Sequence, residues 1–179
     1  MSSFNNHLII TDSVVYKFYD NDGQIEALGT LGLSIESILE KFSNRLIEKR
    51  DISGNVITNT GVGFLLKCLI QGQCYPPFSP QYAHIAVGDS DEPERPEHNI
   101  ILGLNKHYRH VDYNYPLLFE TSAVFRSTFG RNHANFEWKE WSVTNGSTPI
   151  AVHLNRKVEH LGKKEPNMTW LMQVTFSFR

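Results

Sequence analysis

From Met168 to Phe178 the chain alternates: Met168, Trp170, Met172, Val174, Phe176 and Phe178 fall on every second position, with Thr169, Leu171, Gln173, Thr175 and Ser177 between them. Side chains repeat every two residues on a strand and every 3.6 on a helix. Six large apolar groups in phase over eleven residues commit the segment to a β-strand with one apolar face. Such a face has to be covered by a second layer. The segment therefore predicts a sheet with this strand tied into it. It carries no pattern of catalytic type and reads as part of a building unit.

The rest of the chain supports a β-rich reading. His7 to Asp20 reads as a strand with apolar groups on both faces, among them Val14, Tyr16 and Phe18 on one side. Asn21-Asp22-Gly23 reads as a tight hairpin turn, with Gln24 to Leu28 returning as a short strand. Ser34 to Glu48 has the spacing of an amphipathic helix, with Ser34 as N-cap and Leu33 and Ile38 at the hydrophobic-staple positions. Asp51 to Asn55 reads as a turn.

A short strand at Val56 leads into a second helix, capped by Asn59 or Thr60 and closed by Gly72. Its apolar face of Phe64, Leu65, Cys68 and Leu69 predicts that it is largely buried. Further strands are expected at Tyr82–Gly88, Glu120–Phe129, Ala134–Val143 and Ile150–Arg156, the last reached through an Asn145-Gly146 hairpin. The fold class this predicts is mainly β: an antiparallel β-sandwich decorated by two short α-helices. Two units are expected. Residues 1–50 form a strand-hairpin and amphipathic helix that could serve as a docking arm, and residues 51–179 form the sandwich with one buried helix.

Length and composition exclude several classes. At 179 residues there is room for about one domain with a real core. Seventeen basic against nineteen acidic residues leave a net charge of −2, which argues against a nucleic-acid or anionic-membrane binder. No apolar run approaches the roughly 20 residues of a membrane-spanning helix. The start, Met-Ser-Ser-Phe-Asn-Asn-His, lacks the basic and apolar regions of a secretory signal, so synthesis in a cytoplasm is expected. Cys68 and Cys74 do not make a zinc pattern. Cys68 reads as a small core residue, with a Cys68–Cys74 disulfide as the alternative.

Candidate chemistry is sparse. His107, His110 and Asp112 are the best metal candidates, since two imidazoles and a carboxylate suit zinc. On a strand, however, positions 107 and 110 face opposite ways, and polar surface is the simpler reading. Asp89, Asp91 and Glu92 offer oxygen ligands without the spacing of a calcium loop. Glu137 and Glu140, three apart on a strand, also face opposite ways and do not make a glycosidase pair. No nucleophile elbow and no phosphate-cradling loop is present. Trp138, Trp141 and Trp170 read as core or interface groups, with a sugar-binding platform as the alternative for one of them. Arg156, Lys157 and His160 read as inter-strand or intersubunit pairing groups. The interface candidates are thus Trp138, Trp141, Arg156 and Trp170. No cofactor and no catalytic residue is expected.

Several segments together resemble a known family: Gly54-Asn55-Val56-Ile57-Thr58-Asn59-Thr60-Gly61 before an apolar helix, Ala83-His84-Ile85-Ala86-Val87-Gly88-Asp89, Thr128-Phe129-Gly130, Ala134 to Trp141, Leu154-Asn155-Arg156-Lys157-Val158, and the final Thr169-Trp170-Leu171 strand. This string, over residues 52–179, is similar to small virion proteins of tailed bacteriophages of the tail-fibre, baseplate-associated or capsid-decorating type. The chain departs from that pattern in its acidic, proline-bearing loop after Gly88, in Leu102-Gly103-Leu104-Asn105, and in the helix at 34–48. The resemblance implies a virion protein without catalytic residues, made in a host cytoplasm. It further implies assembly with other virion proteins, and self-association as a homotrimer is expected. A tail component is the first expectation, a capsid decoration protein the second, and an adhesin module for host-surface glycan the third.

Overall fold

The computed structural model describes residues 9–148 and 150–178. The described residues form a β-sandwich of two five-stranded antiparallel sheets. Sheet one runs β2 (Leu46–Ser53), β1 (Ile9–Tyr19), β10 (Met168–Phe178), β7 (Ser122–Phe129), β6 (Leu117–Phe119). Sheet two runs β3 (Val56–Ile57), β9 (Asn155–Lys163), β8 (Glu137–Thr144), β4 (His84–Gly88), β5 (Lys106–His110). Their inner faces share one core, which includes Val15, Ile85, Phe125, Trp141 and Val174.

The alternation in β10 works as its sequence requires. Trp170, Met172, Val174 and Phe176 point into the core, and Leu171 faces the other way. There it joins Phe18, Ile25, Ile38 and Phe42 in a smaller cluster beneath α1 (Gln24–Thr30) and α2 (Ile35–Phe42). This second cluster explains why β1 is apolar on both faces. The expected docking arm is built into the sandwich: β1 pairs with β10 from Ile9↔Phe178 to Tyr19↔Met168 and with β2 on its other side. His7 and Leu8, counted in the expected first strand, lie outside the described residues.

Several local expectations are corrected. Among the described residues there are three α-helices, because Gln24–Leu28 is helical. Gly23 takes the left-handed conformation (φ 74°) that the turn needs, but the chain does not return as a strand. The Asp20 carboxylate instead accepts from the backbone N–H groups of Ile25 (3.1 Å) and Glu26 (2.9 Å), which starts a helix. Ser34 does cap α2, its hydroxyl accepting from Ser37 N–H. That helix stops at Phe42 rather than Glu48, and Leu46–Ser53 is an edge strand. The charged run Glu48-Lys49-Arg50-Asp51 hides this strand from a periodicity reading, because its order comes from backbone pairing with β1. The expected turn therefore shortens to Gly54 and Asn55. Strand β9 begins at Asn155 rather than Ile150 and continues through the polar stretch to Lys163.

The largest correction concerns α3 (Asn59–Gln71). Its N-cap is Thr58, whose hydroxyl accepts from Gly61 N–H at 2.9 Å and donates to the His153 carbonyl. Gly72 ends it with φ 64°, as expected. Only Gly61 and Phe64 of this helix are buried. Gly61 lies so close to the Leu154 backbone that a Cβ would collide with it. Cys68 is not a core residue; it is half-buried and disulfide-bonded to Cys74, with Cα atoms 4.8 Å apart.

Candidate functional site

The residues singled out from sequence do not converge. His107 stacks near His133 (ring centroids 5.4 Å) and the Phe129 ring. His110, on the opposite face of β5, sits beside His84 and bonds to the carbonyls of Val111 (2.8 Å) and Gln81 (3.2 Å). Asp112 is buried, accepting from Arg126 Nε, Thr128 N–H and Thr128 Oγ1, each at 2.8 Å. Among the described residues no group of three or more His, Cys, Asp or Glu is placed to hold a metal ion. Asp89 accepts from Asn105, Asp91 pairs with Lys139 at 3.1 Å, and Glu92 pairs with His98 at 3.4 Å, so these three serve separate contacts.

The four interface candidates are all inside the chain. Trp138, Trp141 and Trp170 are core residues, with Trp138 stacked edge-on against Phe129 (4.6 Å) and Trp170 (4.8 Å). Trp138 Nε1 donates to the Ala134 carbonyl and Trp141 Nε1 to Ser13 Oγ. Arg156 is fully buried against Glu140 at 2.7 Å. Period two holds along β10 but breaks in β8, where a register shift between Trp138 and Glu140 lets Trp138 and Trp141, three apart, enter the same core, so the expectation that Glu137 and Glu140 face opposite ways is corrected. Lys157 and His160 pair with Glu94 (3.8 Å) and Glu137 (2.5 Å) within the same chain.

Two buried ion pairs hold segments onto the outsides of the sheets. On sheet one, Arg126 bridges Asp112 to the carbonyls of Leu33 and Gly29, securing the α1–α2 connection. Burial pushes the Asp112 carboxyl up, against the pull of Arg126 and Thr128. On sheet two, Glu140 accepts from Arg156 and from the backbone N–H groups of Leu102 (3.1 Å) and Gly103 (2.6 Å). These bonds fasten the loop at 89–105 across the sheet. Beside them, Ser142 Oγ lies 3.0 Å from His153 Nδ1, a distance that suits a nucleophile and its base. Both side chains are fully buried, and burial holds the His153 imidazole down at about 4, so no substrate or solvent reaches them in this arrangement. The pair is part of the packing.

The exposed feature that stands out is apolar. On α3, Val62, Leu66, Leu69 and Ile70 follow i, i+4, i+7, i+8 spacing, so they share one face. That face turns away from the sandwich, leaving Leu69 83% and Ile70 75% exposed. It holds no charged side chain. Leu65, at its margin, borders a cleft of about 200 Å³ at the end of the sandwich where β1 begins and β10 ends. Eleven of the described residues line this cleft and all are apolar. Phe125, Leu154 and Phe176 form its floor, and Leu65, Leu118 and Phe178 its rim. Stripe and cleft adjoin to make one apolar surface.

Sequence reasoning missed this surface because it assigned the apolar residues of α3 to the core. The available signal was that the helix is apolar on nearly all sides, more than one sheet contact can cover.

Compared with protein-family models, with curated proteins and with solved structures, the chain matches none of them. No helix among the described residues is long and apolar enough to cross a membrane.

Proposed function

We propose that this chain is a structural protein of a tailed-bacteriophage virion that acts by assembly with other proteins rather than by catalysis. A tail component (fibre, fibre adaptor or baseplate-peripheral protein) is the leading assignment, and a capsid decoration protein the alternative. The observation that carries the assembly reading is the outward apolar face of α3. Monomeric soluble proteins rarely leave a contiguous patch of large aliphatic side chains open, and such patches mark places that another protein covers. The motif string over residues 52–179 supplies the virion part of the reading.

Self-association follows from the same face, which carries no charge to repel its own copy. A homotrimer is expected, with a solution mass three times the 20.5 kDa of the chain. Light scattering after size exclusion checks this, and a monomer at micromolar concentration would count against trimerisation in free solution.

The adhesin alternative loses its tryptophan platform, since all three Trp residues are buried. It retains a polar groove of about 470 Å³ on the outer face of sheet one, lined by Asp12, Tyr16, Asp51 and Gln173 among others. Immunogold electron microscopy of intact particles discriminates these readings. Gold at tail tips or fibres is the expected outcome. Gold spread over the head would favour decoration, and no gold on any particle would sink the virion reading.

A further inference from the structure

A sandwich has four edge strands, each with unpaired backbone groups that invite another strand. Three of the four here are blunted. Edge β2 carries Glu48, Lys49, Arg50 and Asp51, and Arg50 reaches across to the His160 carbonyl and Glu159 of β9. Edge β3 is two residues long and runs straight into α3. Edge β5 reads Lys106-His107-Tyr108-Arg109-His110 and is cationic.

Edge β6, Leu117-Leu118-Phe119, is different. It holds no charge, among the described residues it has β7 as its one strand neighbour, and Leu118 is 81% exposed. It is also the edge that borders the apolar cleft, since Leu118 is part of the cleft rim. Edge and cleft are separate observations that meet at one residue.

We propose that β6 and the cleft together receive an extended, uncharged segment of a different particle protein. The segment adds a strand alongside β6 by main-chain hydrogen bonds and places one large apolar side chain in the cleft. Size and chemistry define that side chain. An apolar protein cavity of about 150 Å³ admits benzene, so about 200 Å³ suits a Phe, Leu or Ile side chain. Among the described residues no ionisable group lines the cleft, so a charged occupant would be stranded.

A second copy of this chain is disfavoured as donor. Among the described residues its other edge strands are charged or two residues long, and β6 itself has three residues. Self-association belongs to the α3 face and strand capture to the cleft. The inference rests on the assembly reading only in taking the occupant to be a neighbouring protein.

The test uses the full chain and a fluorescein-labelled peptide, acetyl-Thr-Phe-Thr-Val-Thr-Ile-Thr, read by fluorescence anisotropy. Saturable binding is expected, weakened about tenfold or more when the peptide Phe is replaced by Asp. Ala123→Phe, which fills the cleft from β7, should weaken binding by a similar factor without lowering the melting temperature. Leu118→Pro, which removes an edge amide, should do the same; Ala123→Phe keeps the test valid should that proline disturb the hairpin.

No saturable binding up to about 1 mM, or full binding retained in both variants, would overturn the proposal. So would an oligomer that Ala123→Phe dissolves, which assigns the cleft to a second copy. Binding seen only after residues 1–8 are deleted would assign it to the chain's own N-terminal segment. Particle labelling tests the virion reading by itself, so the two can fail separately.

Discussion

Glu140 and Arg156 are both fully removed from solvent and bonded to each other, so neither can lose its partner cheaply. Arg156→Ala leaves a buried carboxylate and loosens the loop that Leu102 and Gly103 anchor. The expected cost is roughly 3–5 kcal/mol in a urea melt. A cost below about 1 kcal/mol would show that the pair is not a closed buried unit. Histidine sets the acid limit. His153 and His107 are each held at about 4, from an ordinary 6.5, chiefly by burial of a ring that is neutral in the fold. The unfolded chain therefore binds more protons than the fold between about pH 6.5 and 4. Stability is full above that window and falls as pH drops through it. For His153, which is fully buried, the loss is on the order of 3 kcal/mol. His107 is partly exposed and adds less. Urea midpoints at about pH 7 and pH 4.5 check this, and equal midpoints would exclude it. Little of this is legible from the residues alone. His153 carries no signal in the sequence, and Arg156 reads as an inter-strand or intersubunit pairing group; it does pair across strands, with Glu140 of β8, but its complete burial is not foreshadowed. An isolated charged or polar side chain shows nothing of how deeply it will be covered.

Helix α3 is the element where sequence and structure diverge most usefully. The periodicity identified a helix, its Gly72 terminus and its apolar character correctly. It could not say which of two apolar faces meets the sheet. Phe64 and the close approach at Gly61 occupy that position, and the better-ordered stripe of Val62, Leu66, Leu69 and Ile70 is left outside. Leu69→Lys and Ile70→Lys should therefore change the folding free energy by no more than about 0.5 kcal/mol each. The same substitutions should abolish self-association in size-exclusion light scattering. If instead both variants unfold, the stripe belongs to the core. Edge strand β2 failed in the opposite way. Its charges blunt an exposed edge, and they also erase the alternation by which a strand is recognised.

At the scale of the whole molecule, the first and last strands of the described chain lie side by side at the middle of sheet one. The N-terminal stretch and the sandwich should accordingly unfold together. Tryptophan fluorescence, which reports the core through Trp138, Trp141 and Trp170, and far-ultraviolet circular dichroism should trace one coincident transition. A separate early transition would restore an independent arm. Pairing across so long a loop also predicts slow folding for a domain of this size. The sequence by itself determined the period-two strands, the sandwich class and the Ser34 and Gly72 helix boundaries, because these follow from local sterics and from the need to cover an apolar face. Tertiary structure alone decided that Gln24–Leu28 is helical and that Leu46–Ser53 is a strand. It also sent Arg156 inward and left α3 and the β6 cleft open. Each of those outcomes depends on a partner distant in the chain: Thr169, whose hydroxyl donates to the Asp20 carboxylate that starts α1, β1 beside β2, one sheet against the other. Local spacing shows that a side chain needs cover, and only the assembled fold shows whether the chain provides it.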